Sequence, residues 1–119
     1  MFNNSEEINL EVCFIYQPDV SEFNATNMVI MEVNLPSGYT TQADLNENLK
    51  TNKLVKKIET KNSESAVIIY LDNLKANVNH CLNIPADKSN EVLASKPAAI
   101  RMYDYYNQRR SNTVFYSLM

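Results

Sequence analysis

Apolar and polar residues alternate along most of this chain. Between positions 8 and 16, Ile8, Leu10, Val12, Phe14 and Tyr16 fall on one side of an extended strand. Asn9, Glu11, Cys13 and Ile15 fall on the other, mostly polar side. Positions 28–35 repeat the pattern, turning Val29, Met31, Val33 and Leu35 inward against Glu32 and Asn34. Strands are also expected at 54–60, 66–72, 79–84, 98–105 and 112–117, seven in all, separated by regular turn signals. Pro36-Ser37-Gly38 turns the chain, and the only glycine sits there because a tight turn needs positive φ. One stretch breaks the period: Thr41 as a cap, Asp44 three residues later, and Leu45 and Leu49 at i,i+4 predict a short helix over 41–49. Seven short strands of this kind predict an all-β, two-sheet antiparallel β-sandwich in a single domain over 1–119, with 1–7 as a leader.

Composition narrows the function more than the fold. The formal net charge of −3 argues against general nucleic-acid binding, which needs a surplus of Lys and Arg. No apolar run approaches the ~18 residues of a membrane span, so direct membrane insertion is not expected. The first residues do not read as a signal peptide, and Met1 followed by Phe2-Asn3-Asn4-Ser5 is equally the start of an excised domain. Asn3-Asn4-Ser5 and Asn24-Ala25-Thr26 are N-glycosylation sequons, with Asn24 in a polar loop between the first two strands. Cys13 and Cys81 both alternate with inward residues and so lie on outer faces. They form either a cross-strand disulfide, if their strands are neighbours, or two unrelated thiols.

Catalytic chemistry is hard to assemble from these residues. His80, the sole histidine, adjoins Cys81, and neighbours on a strand point to opposite faces, which spoils chelation and a Cys–His nucleophile pair alike. An exposed or edge position is expected for it. A single glycine allows no phosphate-cradling loop, and the acidic residues form no evident pair. The chain therefore reads as a binding module, not an enzyme, with no cofactor and no metal.

Two surface features suit a protein partner. Lys50, Lys53, Lys56, Lys57 and Lys61 cluster in an otherwise acidic chain, as a patch for an acidic partner or as a lysine-guarded strand edge. Tyr103, Tyr105 and Tyr106 crowd the end of one strand beside Arg109-Arg110, with Arg101, Tyr103 and Tyr105 on one side of it. Such rings suit an interface or the end of a core.

Residues 32–39, Glu32-Val33-Asn34-Leu35-Pro36-Ser37-Gly38-Tyr39, are followed by Ile69-Tyr70-Leu71-Asp72, Lys96-Pro97-Ala98 and Tyr103-Asp104-Tyr105-Tyr106. In that order they resemble the receptor-binding domain that ends alpha-2-macroglobulin, complement components and insect thioester proteins. The likeness runs from about Ile8 to Tyr116, and Cys13 with Cys81-Leu82-Asn83-Ile84-Pro85-Ala86 is similar to the insect members. The resemblance implies a sandwich with one helix on a crossover. It also implies a secreted setting, or one anchored at a cell surface through a parent protein, and that setting favours the Cys13–Cys81 disulfide. The parent would trap proteases or opsonise microbes, and its thioester lies in another domain. A cell-surface receptor and that thioester domain are the implied partners, with Lys50, Lys53, Lys56 and Lys57 as receptor candidates and Tyr103, Tyr105 and Tyr106 as domain-contact candidates. The two lysines by which alpha-2-macroglobulin is captured by receptors with acidic, calcium-binding repeats correspond to Ala43 and Glu47, so that mode of capture does not transfer. A generic adhesion or carbohydrate-binding sandwich is the alternative, although the chain has no Trp for a sugar platform.

Overall fold

The computed structural model describes residues 7–16, 28–42, 49, 53–72, 74–89, 97–105, 109 and 111–117. Its strands are β1 (Glu7–Ile15), β2 (Met28–Asn34), β3 (Tyr39–Thr41), β4 (Val55–Lys61), β5 (Ala66–Asp72), β6 (Asn79–Lys88), β7 (Ala98–Asp104) and β8 (Ser111–Tyr116). They form a three-stranded sheet, β1-β6-β3, and a five-stranded sheet, β4-β5-β2-β7-β8, with every pairing antiparallel. The expected sandwich is therefore the observed one.

Alternation decides which face each side chain takes. Val29, Met31 and Val33 of β2 and Val67, Ile69 and Leu71 of β5 point inward from the larger sheet, and Leu82, Ile84 and Ala86 meet them from β6. Met31, Val33, Ile69, Leu71 and Ile84 are fully buried, and each such side chain contributes about 1.5–3 kcal/mol by leaving water. The apolar side of β1, Ile8 through Tyr16, is only partly buried against this core.

Two details went beyond the sequence pattern. β3 is too short to show a period, and it pairs Thr41 with Ala86. Thr41, expected to cap a helix, thus closes a strand; the rest of that expected helix lies outside the described residues, apart from Gln42 and Leu49, which is buried in the core. The second detail is β6, which runs past Pro85 to Lys88 instead of stopping at Ile84. Pro85 faces Asn9 of β1, while the ladder to β3 ends one residue earlier in the pairing, at Ala86. A proline lacks the N–H donor, so a central strand tolerates it where one neighbour stops. At the other terminus, β1 already begins at Glu7, the last residue of the expected leader.

Cys13 and Cys81 face each other in the β1–β6 register and are joined by a disulfide, with Cα atoms 4.1 Å apart. That spacing is close to the ~4.5 Å of a non-hydrogen-bonded antiparallel pair, so the bond needs no rearrangement of the ladder. His80 turns inward, opposite Phe14, with ring centroids 5.6 Å apart. The exposed half of the expectation is corrected, because the alternation that sends Cys81 outward sends its neighbour in; the edge half stands, since among the described strands β6 pairs only with β1 at this point.

The β4–β5 hairpin carries local strain. Asn62, Ser63 and Glu64 have φ of 53°, 56° and 68°, all left-handed and none of them glycine. The tip is held by Ser65 N–H donating to the Lys61 carbonyl and Thr41 N–H donating to the Glu64 carbonyl. Left-handed geometry costs a residue with a Cβ about 1–2 kcal/mol, and glycine returns part of that as unfolded-state entropy. Glu64→Gly is therefore expected to raise unfolding stability by about 0.5–1 kcal/mol in urea denaturation; a loss would show that the side chain itself holds the turn. The double variant Cys13→Ser/Cys81→Ser removes a crosslink spanning 68 residues. Its expected cost is about 4 kcal/mol in the chain-entropy model, read as a lower denaturation midpoint that reducing agent reproduces in the unmodified protein.

Candidate protein-contact face

The outer face of the five-stranded sheet collects the charged and aromatic residues that alternation excludes from the core. The register sets Lys57 opposite Tyr70, Tyr70 opposite Ile30, Ile30 opposite Tyr103, and Tyr103 opposite Ser111. The next row reads Glu59, Ile68, Glu32, Arg101 and Thr113. Two adjacent rows on four strands thus hold two cations, two carboxylates and two tyrosines around Ile30, which is only 6% exposed although it faces away from the core.

These residues form the same unit twice. In the first, Lys57 Nζ lies 5.4 Å from the centre of the Tyr70 ring and 3.1 Å from Glu59 Oε2, and the Tyr70 hydroxyl donates to Glu59 Oε1 at 2.9 Å. In the second, the Arg101 guanidinium lies 4.3 Å from the centre of the Tyr103 ring, whose hydroxyl donates to Glu32 Oε2 at 2.9 Å. Each tyrosine carries a cation near its ring and donates a hydrogen bond to a carboxylate. The rings are thereby held in place at small conformational cost, as an interface wants of its anchors.

The electrostatics follow from these contacts. The hydrogen bond from Lys57, and then that from Tyr70, holds the Glu59 carboxyl below its ordinary range, while Glu59 raises Lys57. Tyr70 is raised mainly by its bond to Glu59, whereas Tyr103 is raised first by desolvation and then by its bond to Glu32. Exposed ion pairs of this type contribute only about 0–1 kcal/mol, so they order the surface more than they stabilise the fold.

Of the residues that the sequence singled out, Lys56 and Lys57 lie on β4, with a register shift between Val55 and Lys57, and Lys53 lies in the turn before it. All three are exposed. Tyr103 belongs to the face, and Tyr105, 49% exposed, adds to the charge environment of both Lys57 and Tyr70. Lys57 and Tyr103, far apart in the sequence, therefore share the outer face of one sheet, with Tyr105 near enough to act on Lys57. Lys50, Tyr106, Arg110, Asn3 and Asn24 lie outside the described residues. Tyr70, Glu59, Glu32 and Ile30 carried no functional expectation from the sequence. The signal for Glu59 was present as a charge pair two residues apart, Lys57 and Glu59, which a strand puts on one side.

Two other places gather groups of chemical interest. Glu11, Cys13 and Cys81 bring potential metal-ligating atoms within 4.8 Å of one another, but both sulfurs are committed to the disulfide. On the opposite side of the larger sheet, a groove of about 890 Å³ opens between β1 and the β7–β8 pair, lined by Leu10, Val12, Phe14, Ile100, Met102 and Val114. Its lining is mostly apolar, with Glu11, Asp104 and Arg109 as its charged residues. At its rim the Tyr116 hydroxyl donates to the Asn34 carbonyl, and burial pushes Tyr116 up to about 12.

Comparison with known proteins places the chain. The model of the A-macroglobulin receptor binding domain matches residues 24–117. Thioester-containing protein 1 of Anopheles gambiae is similar over 101 residues, 85% of this chain, at 34% identity for allele R1 and 31% for allele S3. The chain spans only 7% of the length of those relatives.

The tyrosines provide a direct check of the geometry. In an alkaline titration followed by ultraviolet absorbance or NMR, Tyr116 is expected to ionise at about 12, where an ordinary tyrosine ionises at 10.0. Its folded value is the raised one, so its contribution to stability is complete below 10.0 and is lost as pH climbs to about 12. Glu59→Gln should bring Tyr70 back toward the ordinary range and leave Tyr103 unmoved.

Proposed function

The chain belongs to the A-macroglobulin receptor-binding domain family, a non-catalytic recognition module, and from that premise we propose that it docks protein partners through the outer face of its five-stranded sheet. The observation that carries this is the juxtaposition of Lys57, Tyr70, Tyr103 and Arg101 on adjacent strands, with both rings held by carboxylates. A cationic margin along β4 draws in an acidic surface, and the tyrosines supply the area that then leaves water. The parent is a secreted thioester-type protein, held at a cell surface in some settings, that serves protease trapping or opsonisation. Its cell-surface receptor meets the margin formed by Lys50, Lys53, Lys56 and Lys57, and its own thioester domain meets the face around Tyr103, Tyr105 and Tyr106. The exposed disulfide supports the extracellular setting.

Charge reversal separates the two ends of the face. Lys53→Glu/Lys56→Glu is expected to weaken binding to a soluble fragment of acidic, calcium-binding receptor repeats by more than about fivefold, beyond the ~0–1 kcal/mol of one exposed pair. The loss should shrink at high salt. Reversal of Arg109 and Arg110 is the control. If the arginine pair matters and the lysine pair does not, the β4 lysines are only a guarded edge. Material secreted by the native host should carry glycan at Asn24, and also at Asn3 if the leader is accessible, as read by peptide mass spectrometry.

A further inference from the structure

Two sheets have four edges, and the described residues treat them unequally. An edge strand exposes a row of unpaired N–H and C=O groups, and proteins blunt such edges with charge, bulges or brevity. β3 is three residues long. β1 turns Glu7 and Glu11 to solvent. β4 carries Lys56, Lys57, Glu59 and Lys61 and a register shift. β8, Ser-Asn-Thr-Val-Phe-Tyr, has none of these: six residues with no charge, no proline and a regular pairing to β7 throughout.

The side chains of β8 depart from the rule in the same direction. Phe115 is 69% exposed on the outer face and Val114 54% exposed on the inner one, the two most exposed large apolar residues described. Val114 also lines the groove between β1 and the β7–β8 pair, where, among the described residues, the smaller sheet leaves the larger one uncovered. Free backbone groups at the edge, apolar side chains on both faces and an uncovered groove beside it all call for one kind of ligand, another extended strand.

We infer that β8 pairs with β8 of a second copy of this chain, joining two five-stranded sheets across a two-fold axis. Charge selects this pairing among the self-associations available. Each β4 edge carries three lysines against one glutamate, so two such edges repel, whereas β8 brings no charge to its counterpart. β8 against β4 would be a head-to-tail contact that sets an uncharged edge against a bulged, lysine-rich one. A two-fold pairing must match residues of the same face, and one centred on Val114 satisfies this. It sets Val114 against its own copy, Thr113 opposite Phe115 of the second copy, and Asn112 opposite Tyr116 of the second copy. Each large ring then lies over a small polar residue, and the inner-facing side chains of the added strand extend over the groove.

Sedimentation of the 119-residue chain over a range of concentrations, with hydrogen exchange at both extremes, tests this. A monomer–dimer equilibrium is expected, with amide protection gained on β8 and not on β4 as the dimer fills. Val114→Lys and Phe115→Lys should each shift the equilibrium to monomer, at least tenfold in the dissociation constant. Both positions are exposed, and an unchanged circular dichroism spectrum and melting temperature will show that each variant is folded. Lys56→Glu should leave the equilibrium unchanged. A single monomeric species at every concentration overturns the proposal, as does a dimer that survives both lysine variants or protects β4 instead. Binding of a synthetic Ser111–Tyr116 peptide by a chain that remains monomeric would assign the edge to a foreign strand and overturn the second copy as its occupant.

Discussion

Everything in this domain hangs on the dry layer between its sheets. Met31, Val33, Ile69 and Leu71 are fully buried on one side, and Ile84 meets them from the other. Because a strand alternates strictly, burying these residues determines where every neighbour points. Glu32 must face out because Met31 and Val33 face in, and Tyr70 must face out because Ile69 and Leu71 face in. The contact face is in that sense the other side of the core. Shifting β2 or β5 by one residue would bury Glu32 or Tyr70 and dismantle the core and the face together. The tyrosine–carboxylate–cation units therefore need little stability of their own.

The same rule explains what could be read from the sequence. β1 and β2 carry long alternating runs, so their inward residues were visible in the sequence, and the count of short strands made the sandwich visible too. The outward placement of Cys13 and Cys81 was visible in the same way. Their pairing was not, because period two gives the face of a residue but not the neighbour of its strand; the register of β1 with β6 supplies that. β3 was invisible for a related reason. Three residues show no period, and Thr41 reads equally well as a helix cap. Pro85 disguised the far half of β6, since proline ordinarily ends a central strand and here sits where the ladder to β3 has already run out.

The candidate site was legible only in parts. Lysine clustering and tyrosine crowding stand out in the sequence but lie about forty positions apart and suggest different partners, a receptor and a thioester domain. Strand order merges them, because β4 and β7 lie on either side of the adjacent pair β5–β2 in one sheet. The residues that bind the two features together, Tyr70, Glu59 and Glu32, look ordinary in sequence. Their role comes from cross-strand register, which a single sequence does not display.

The lysines occupy the part of this face that can change most freely. Tyr70, Ile30 and Tyr103 stand on interior strands whose opposite sides are core, so their positions are fixed by packing. Lys56 and Lys57 stand on an edge strand at a register shift, and Lys53 in the turn before it, with no packed neighbour beyond β4 in the sheet. A change of charge there costs the fold little. The part of this face fixed by packing and the part open to substitution therefore stand on different strands, the first on β5, β2 and β7 and the second on β4.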